Sequence, residues 1–363
     1  MNPQEQALSA TIAEAIAKAG GWLPFDRFMA MALYAPGLGY YTGPRRKFGT
    51  LPQSGSDFVT APEMSPLFGA ALAVQVGHAL DATGTDEVWE FGAGSGALAA
   101  QLLAELGERI RRYVIVDLSG SLRSRQAEKL APWRARVEWL DRLPERIEGV
   151  VVGNEVLDAM PVQLHAFDGT RWRERGVIAT PDGFAFEDRD NAASQAIEAL
   201  MPAAVPGTVT ETHAQAEAFI RTLAGTLAKG AAFFIDYGFP EAEYYHPQRH
   251  GGTLMCHHLH QADPDPLVLV GEKDITAHVN FTGIALAGQD AGLHVLGYTN
   301  QGHFLLNCGI AERLQHADIA ERAMAAKLIN EHEMGELFKV IGFAAQAEFD
   351  AVGFAHGDRS HTL

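Results

Sequence analysis

Residues 85–96 read Thr-Asp-Glu-Val-Trp-Glu-Phe-Gly-Ala-Gly-Ser-Gly, an apolar run that breaks into three alternating glycines. Few segments restrict a fold as tightly. The run predicts a short buried strand, and Gly92, Gly94 and Gly96 predict a sharp turn whose backbone can approach a ligand with no Cβ in the way. A helix beginning near Gly96 would aim its unpaired N–H groups into the same space. The next apolar run ends in Asp117, 21 residues beyond Gly96. That is the usual interval to a carboxylate that takes both hydroxyls of a ribose. Strand, glycine turn, helix, strand and terminal acid together describe a nucleoside site.

Two patterns compete for the nucleoside. Gly92, Gly94 and Ala97 satisfy the dinucleotide spacing G-x-G-x-x-A, whereas Gly92, Gly94 and Gly96 satisfy the G-x-G-x-G of methyltransferases. Glu90 favours the second, because a carboxylate two residues before the loop would repel a pyrophosphate and attract a cation. The segment Gly153-Asn154-Glu155-Val156-Leu157-Asp158-Ala159-Met160-Pro161 follows the apolar run Val150–Val152. It adds polar groups at the carboxyl end of a neighbouring strand, where open α/β sheets bind ligands. The expected cofactor is S-adenosyl-L-methionine. Its expected contacts are Glu90, Gly92, Ala93, Gly94, Gly96, Asp117, Leu118, Asn154 and Glu155.

The rest of the chain alternates in the same manner. Strands are expected at Glu87–Phe91, Tyr113–Val116, Val137–Leu140, Val150–Val152 and Ala231–Ile235, with helices at Leu98–Leu106, Ser121–Leu130 and His213–Leu227. Such alternation predicts a parallel, doubly wound sheet. Further helices are expected at residues 4–19, Pro66–Ala82, Thr282–Gln289 and 312–330, with strands at Leu293–Tyr298 and near 341–349. Residues 34–69 and 239–280 are rich in Gly, Pro and aromatic or His residues, a composition of ordered and often functional loops. Residues 162–205 carry turns at Asp168-Gly169 and Pro181-Asp182-Gly183 and are expected to be strands or an insertion.

A net charge of −17 argues against a nucleic-acid backbone as the main partner. Two cysteines, Cys256 and Cys308, cannot form a disulfide framework and fit a reducing cytoplasm. The opening residues show neither the basic start of a secretory signal nor the acid-poor pattern of a transit peptide, which supports the same compartment. The longest uncharged stretch, Ala291–Ala311, is broken by polar residues and is not expected to span a membrane. His257, His258 and His260 stand close together, but no structural-zinc spacing accompanies them, and no metal is expected.

Several separated segments resemble one family, the MidA-like protein arginine methyltransferases, relatives of the mitochondrial complex I assembly-factor methyltransferase. They are Gly39-Tyr40-Tyr41, Asp57-Phe58-Val59-Thr60-Ala61-Pro62-Glu63-Met64-Ser65 with Phe68-Gly69, and Glu90 through Gly96. Asn154-Glu155, Asp158-Ala159-Met160-Pro161, Ile235-Asp236-Tyr237-Gly238 and Gly271-Glu272-Lys273-Asp274-Ile275-Thr276-Ala277-His278-Val279 complete the set. The chain departs from the family pattern at Met255, where Arg is common, and at Asn280, where Asp is common. If those positions contact the protein substrate, the departures put its identity, and not cofactor binding, in question.

The resemblance implies a class I methyltransferase of α/β class, with a Rossmann-like, seven-strand, mostly parallel sheet, an N-terminal helical and loop cap, and an insertion lobe. The corresponding division is a cap over 1–82, core over 83–238 with an insertion at about 162–205, a lobe over 239–280, and core again over 281–363. It further implies methyl transfer to an arginine of a protein substrate, in mitochondrial members a subunit of respiratory complex I. A guanidinium is a poor nucleophile while charged, so carboxylates should bind and orient it. Glu155, Asp158 and Asp236 are the candidates at strand ends, with Asp57 and Glu63 from the cap and His278 as a general base. Tyr40, Tyr41 and Phe58 are candidate walls of the acceptor channel. Three alternatives stay open: an assembly module that holds the cofactor without turnover, a small-molecule methyltransferase, and an NAD-dependent oxidoreductase.

Overall fold

The computed structural model describes residues 2–43, 59–117, 120–346 and 348–363. These form two compact units. The first gathers described residues within 1–58, 157–216 and 239–280; the second those within 59–156, 217–238 and 281–363.

The second unit is built on seven strands: β1 (Glu87–Phe91), β2 (Arg112–Val116), β3 (Val137–Leu140), β4 (Ile147–Asn154), β5 (Leu227–Phe239), β6 (His294–Asn300) and β7 (Phe338–Ala345). Their order is β3-β2-β1-β4-β5-β7-β6. The first five pair in parallel, and β7 runs antiparallel to both β5 and β6. This is the expected mostly parallel, seven-strand sheet. Parallel strands are covered on both faces, and accordingly Val88–Phe91 and every residue of β7 are buried.

Helix Pro66–Thr83 shows how sequence sets a boundary. The Ser65 side chain accepts from Leu67 N, Pro66 opens the helix, and Gly84 closes it in the left-handed conformation. Its buried residues run all the way round, from Phe68 to Leu80, and it packs in the core with Leu98, Leu102, Val150 and Phe304. Helix Ala97–Leu106 follows β1 and helix Gly120–Lys129 follows β2.

Some expected boundaries shift. β5 runs past Ile235 through Asp236, Tyr237 and Gly238, because β7 continues to pair with it after β4 has ended at Asn154. Asp236 therefore lies within a strand, opposite Lys339, rather than in a turn beyond one. β7 begins at Phe338, earlier than expected. The helical stretch near 312–330 is two helices, Ile310–His316 and Ile319–Ile329, the second started by a capping box between Asp318 and Glu321.

The first unit contains an antiparallel sheet of Leu23–Pro24, Trp172–Thr180, Gln163–Phe167 and Val209–Thr212, with Gly183–Arg189 paired to Trp172–Thr180. The weakly periodic region thus carries three strands, followed by the short helical segments Ala192–Ala196 and Ile197–Leu200. A smaller sheet joins Gln261–Asp263, Met255–His258 and Asp274–Thr276. Helices Pro3–Lys18 and Phe25–Tyr34 bury Leu8, Ile12, Phe28 and Leu33 in this unit's core. No helix among the described residues is long and apolar enough to cross a membrane.

Candidate active site

Strand register sets the site in the second unit. Phe91 aligns with Val116 on one side and Gly153 on the other, and Asn154 aligns with Ile235. The chain therefore leaves β1, β2 and β4 on one line, at the carboxyl edge of the sheet, where a ligand crevice is expected. Gly92 N donates to Val116 O at 3.3 Å, Asp117 N to Leu140 O at 3.1 Å and Glu155 N to Ile235 O at 2.9 Å. Each exit is pinned to its neighbour.

The loop after β1 needs its glycines. Gly92, Gly94 and Gly96 have φ of +65°, +53° and +79°, the left-handed region that other residues adopt only with strain. A Cβ on Gly92 would come within 3.1 Å of Val156 Cγ2, so the loop already rests against the turn after β4. Helix Ala97–Leu106 starts from Gly96 with no side-chain cap, leaving its first N–H groups available to an acceptor. Ala93 is buried within the loop.

Three carboxylates stand around this loop. Asp117, at the tip of β2, accepts from Gln126 Nε2 at 3.0 Å. Glu90 is buried within β1 and accepts from the Tyr113 hydroxyl at 2.6 Å. Burial raises its pKa to about 7; the Tyr113 hydrogen bond opposes that rise and the charge of Asp117 adds to it. Glu63 leaves helix Ala61–Met64 and accepts from the hydroxyl of Ser95, inside the loop. Lys129 Nζ donates to Ser95 Oγ at 3.0 Å and to Glu63 at 3.5 Å.

Beyond β4 the backbone is strained. Glu155 has φ of +54°, and its Oε1 accepts from Asn154 Nδ2 at 3.0 Å. Non-glycine residues in this conformation cluster at functional sites. Asp236, buried in β5, accepts from Val156 N at 3.1 Å through Oδ2 and from Tyr237 N at 3.0 Å through Oδ1. Its carboxylate is thus engaged in holding the turn that carries Glu155.

The second unit therefore brings together Glu63, Glu90, Gly92, Ala93, Gly94, Gly96, Asp117, Asn154, Glu155 and Asp236. Asp158 and His278 belong to the first unit. Asp158 is buried there, and its carbonyl accepts from Ala277 N at 3.0 Å. The His278 ring stacks flat on Phe239 at 5.2 Å, and its carbonyl accepts from His213 Nε2 at 2.7 Å. Tyr40 is also buried in the first unit, and the Tyr41 hydroxyl donates to Asp274 at 2.9 Å. Asp57, Phe58 and Leu118 lie outside the described residues.

Gln126, Tyr113, Ser95 and Lys129 were not singled out by sequence. Gln126 offered only its place nine residues after Asp117 on the next helix, and Tyr113 only the general need of a buried carboxylate for a donor. Among the described residues no group of three or more His, Cys, Asp or Glu is placed to hold a metal ion.

The donor set fits an S-adenosyl nucleoside. Glu90 and Asp117 present acceptors for an ammonium or sulfonium and for hydroxyls, while the pair would oppose a pyrophosphate. The comparisons agree. A family model of S-adenosyl-L-methionine-dependent methyltransferases matches residues 70–299. A crystal structure from Burkholderia thailandensis, bound to S-adenosyl-homocysteine, is 54% identical with a TM-score of 0.96, covering 100% of this chain and 99% of that one. The mitochondrial protein arginine methyltransferase NDUFAF7 of Danio rerio is 28% identical, over 88% of this chain and 83% of the relative. Its Homo sapiens counterpart is 26% identical, over 88% and 80%. The chain belongs to the family of S-adenosyl-L-methionine-dependent methyltransferases, and S-adenosyl-L-methionine is its cofactor.

Proposed function

We propose that this methyltransferase acts on an arginine side chain of a protein. The reading is carried by one observation: a buried carboxylate, Asp236, is spent on fixing the strained turn that presents Glu155 beside the glycine loop. The names of the mitochondrial relatives point the same way.

Each residue then has a part. Asp117 accepts from the ribose hydroxyls, the loop from Gly92 to Gly96 lets backbone approach the nucleoside, and Glu90 faces the cationic amino-acid end. When bound, S-adenosyl-L-methionine supplies a methyl already activated on sulfur. Glu155 holds the acceptor guanidinium by a charge-assisted hydrogen bond and orients one nitrogen toward that methyl. As the new N–C bond forms, the S–CH3 bond breaks with its electron pair returning to sulfur, the thioether S-adenosyl-homocysteine is the leaving group, and the guanidinium nitrogen gives up a proton to a carboxylate. Glu155 is the carboxylate assigned to this step.

The test is transfer of radiolabelled methyl from S-adenosyl-L-methionine, with a lysate and purified respiratory complex I subunits as acceptors. Label in a protein band, recovered as methylarginine after acid hydrolysis, supports the proposal. Label in the small-molecule fraction, on another amino acid, or nowhere while S-adenosyl-homocysteine still binds, rejects the arginine reading.

A further inference from the structure

Gln126 sits on helix Gly120–Lys129, fully buried, with its amide between the glycine loop and the tip of β2. Its Nε2 donates to Gly94 O at 3.0 Å and to Asp117 Oδ2 at 3.0 Å, while its Oε1 accepts from Trp139 Nε1 at 2.9 Å. The direction of the amide is fixed by chemistry. An indole N–H only donates, so the amide oxygen must face Trp139; a carbonyl and a carboxylate only accept, so the NH2 must face Gly94 and Asp117. Few side chains can do this. Glu lacks the two donors, Lys lacks the acceptor, and Lys would also neutralise Asp117.

We propose that Gln126 is a positioning residue for ribose recognition. It locks the rotation of the Asp117 carboxylate and ties it to the glycine loop, with Trp139 holding the amide in the productive orientation. The inference rests on Asp117 as the ribose acceptor. Its consequence is particular: Gln126 touches no substrate, yet it sets how strongly the enzyme distinguishes a ribose with hydroxyls from one without.

The experiment is calorimetric titration of wild type, Gln126→Met and Trp139→Phe with S-adenosyl-homocysteine and with its 2′,3′-dideoxyribose analogue. Loss of a hydrogen bond to a charged group is worth about a tenfold change or more, and loss of a neutral one a few-fold. Gln126→Met is expected to weaken S-adenosyl-homocysteine about tenfold and leave the dideoxy analogue nearly unchanged, so that the preference between them collapses. Trp139→Phe is expected to show the same pattern at a few-fold, and it keeps the test open should Gln126→Met fail to fold. In an Asp117→Asn background, Gln126→Met should no longer alter the preference. Equal weakening of both ligands, or of neither, overturns the proposal and leaves Gln126 as packing. Failure of wild type to prefer the hydroxylated ligand rejects instead the assignment of Asp117 to the ribose.

Discussion

The hydroxyl of Tyr113 donates to Glu90 at 2.6 Å between two adjacent parallel strands, and both residues are buried. Tyr113 stands opposite Val88 in the register, so the bond runs diagonally to the residue two further along β1. A carboxylate in such a place is held by one strong donor against a large desolvation penalty. Its pKa of about 7 records the balance.

That balance has a sign. The folded pKa lies above the usual carboxylate value of 4.5, so the fold prefers protonated Glu90. The stabilisation is complete below about pH 4.5 and is lost as pH rises through about 7. It amounts to something on the order of 3 kcal/mol. His165 and His213 oppose it in the same window: burial lowers both to about 4, so their contribution is present above 6.5 and lost as pH falls toward 4. The Glu90 term is therefore read as a difference. Glu90→Gln should gain stability relative to wild type between pH 5 and pH 8 in thermal denaturation. Parallel curves for the two proteins would remove Glu90 as the titrating group.

Tyr113→Phe removes the donor and keeps the ring. The carboxylate is then buried with less compensation, at a cost of about 1–3 kcal/mol at pH 8. Below pH 5, where Glu90 is protonated, the cost should shrink. Denaturation midpoints at the two pH values check this, and an equal loss at both would mean that the ring, not the hydroxyl, matters.

Gly94→Val places a β-branched residue at φ of +53°. Such strain costs about 1–3 kcal/mol, and the side chain would occupy the space that the loop leaves for a nucleoside. Titration with S-adenosyl-homocysteine should show no binding by a protein that still melts cooperatively. Retained micromolar binding would move the nucleoside away from this loop.

β1 and β3 could be read from sequence to the residue, because each is an apolar run closed by turn-forming residues. β5 could not. Ala228–Gly230 and Asp236–Gly238 lack an apolar pattern; pairing with β4 extends the strand at its start and pairing with β7 carries it on to Tyr237. The site divides in the same way. Asp117 and the glycines announce themselves by spacing along the chain, whereas Gln126 acquires its partners from the loop after β1, the residue after β2 and Trp139 of β3 at once. Nothing in its own helix marks it, since its meaning arises only when three strand ends converge.

Asp236→Asn tests the turn that carries Glu155. Two backbone N–H groups, from Val156 and Tyr237, point at the two carboxylate oxygens. An amide has one acceptor oxygen, so one N–H would face an NH2 instead, at a cost of about 1–3 kcal/mol. The strained Glu155 loses its support, and methyl transfer should fall by about tenfold or more. Affinity for S-adenosyl-homocysteine, which depends on Asp117 and the glycine loop, should fall less. Transfer equal to wild type would detach Asp236 from the chemistry and return it to a purely structural role.

The same Glu90 titration should appear in cofactor affinity. The cationic amino-acid end is borne by a sulfonium that carries its charge at every pH, and Glu90 meets that end as a carboxylate only after losing a proton with a pKa of about 7. Binding of S-adenosyl-L-methionine should therefore strengthen from pH 6 to pH 8 and take up the ionised form of Glu90, with proton release detectable as a buffer-dependent heat. Glu90→Gln should bind more weakly at pH 8 and lose most of that pH dependence. A pH dependence identical in the two proteins would show that Glu90 does not face the cationic end of the cofactor. Its buried bond to Tyr113 would then be a feature of the strand pair alone.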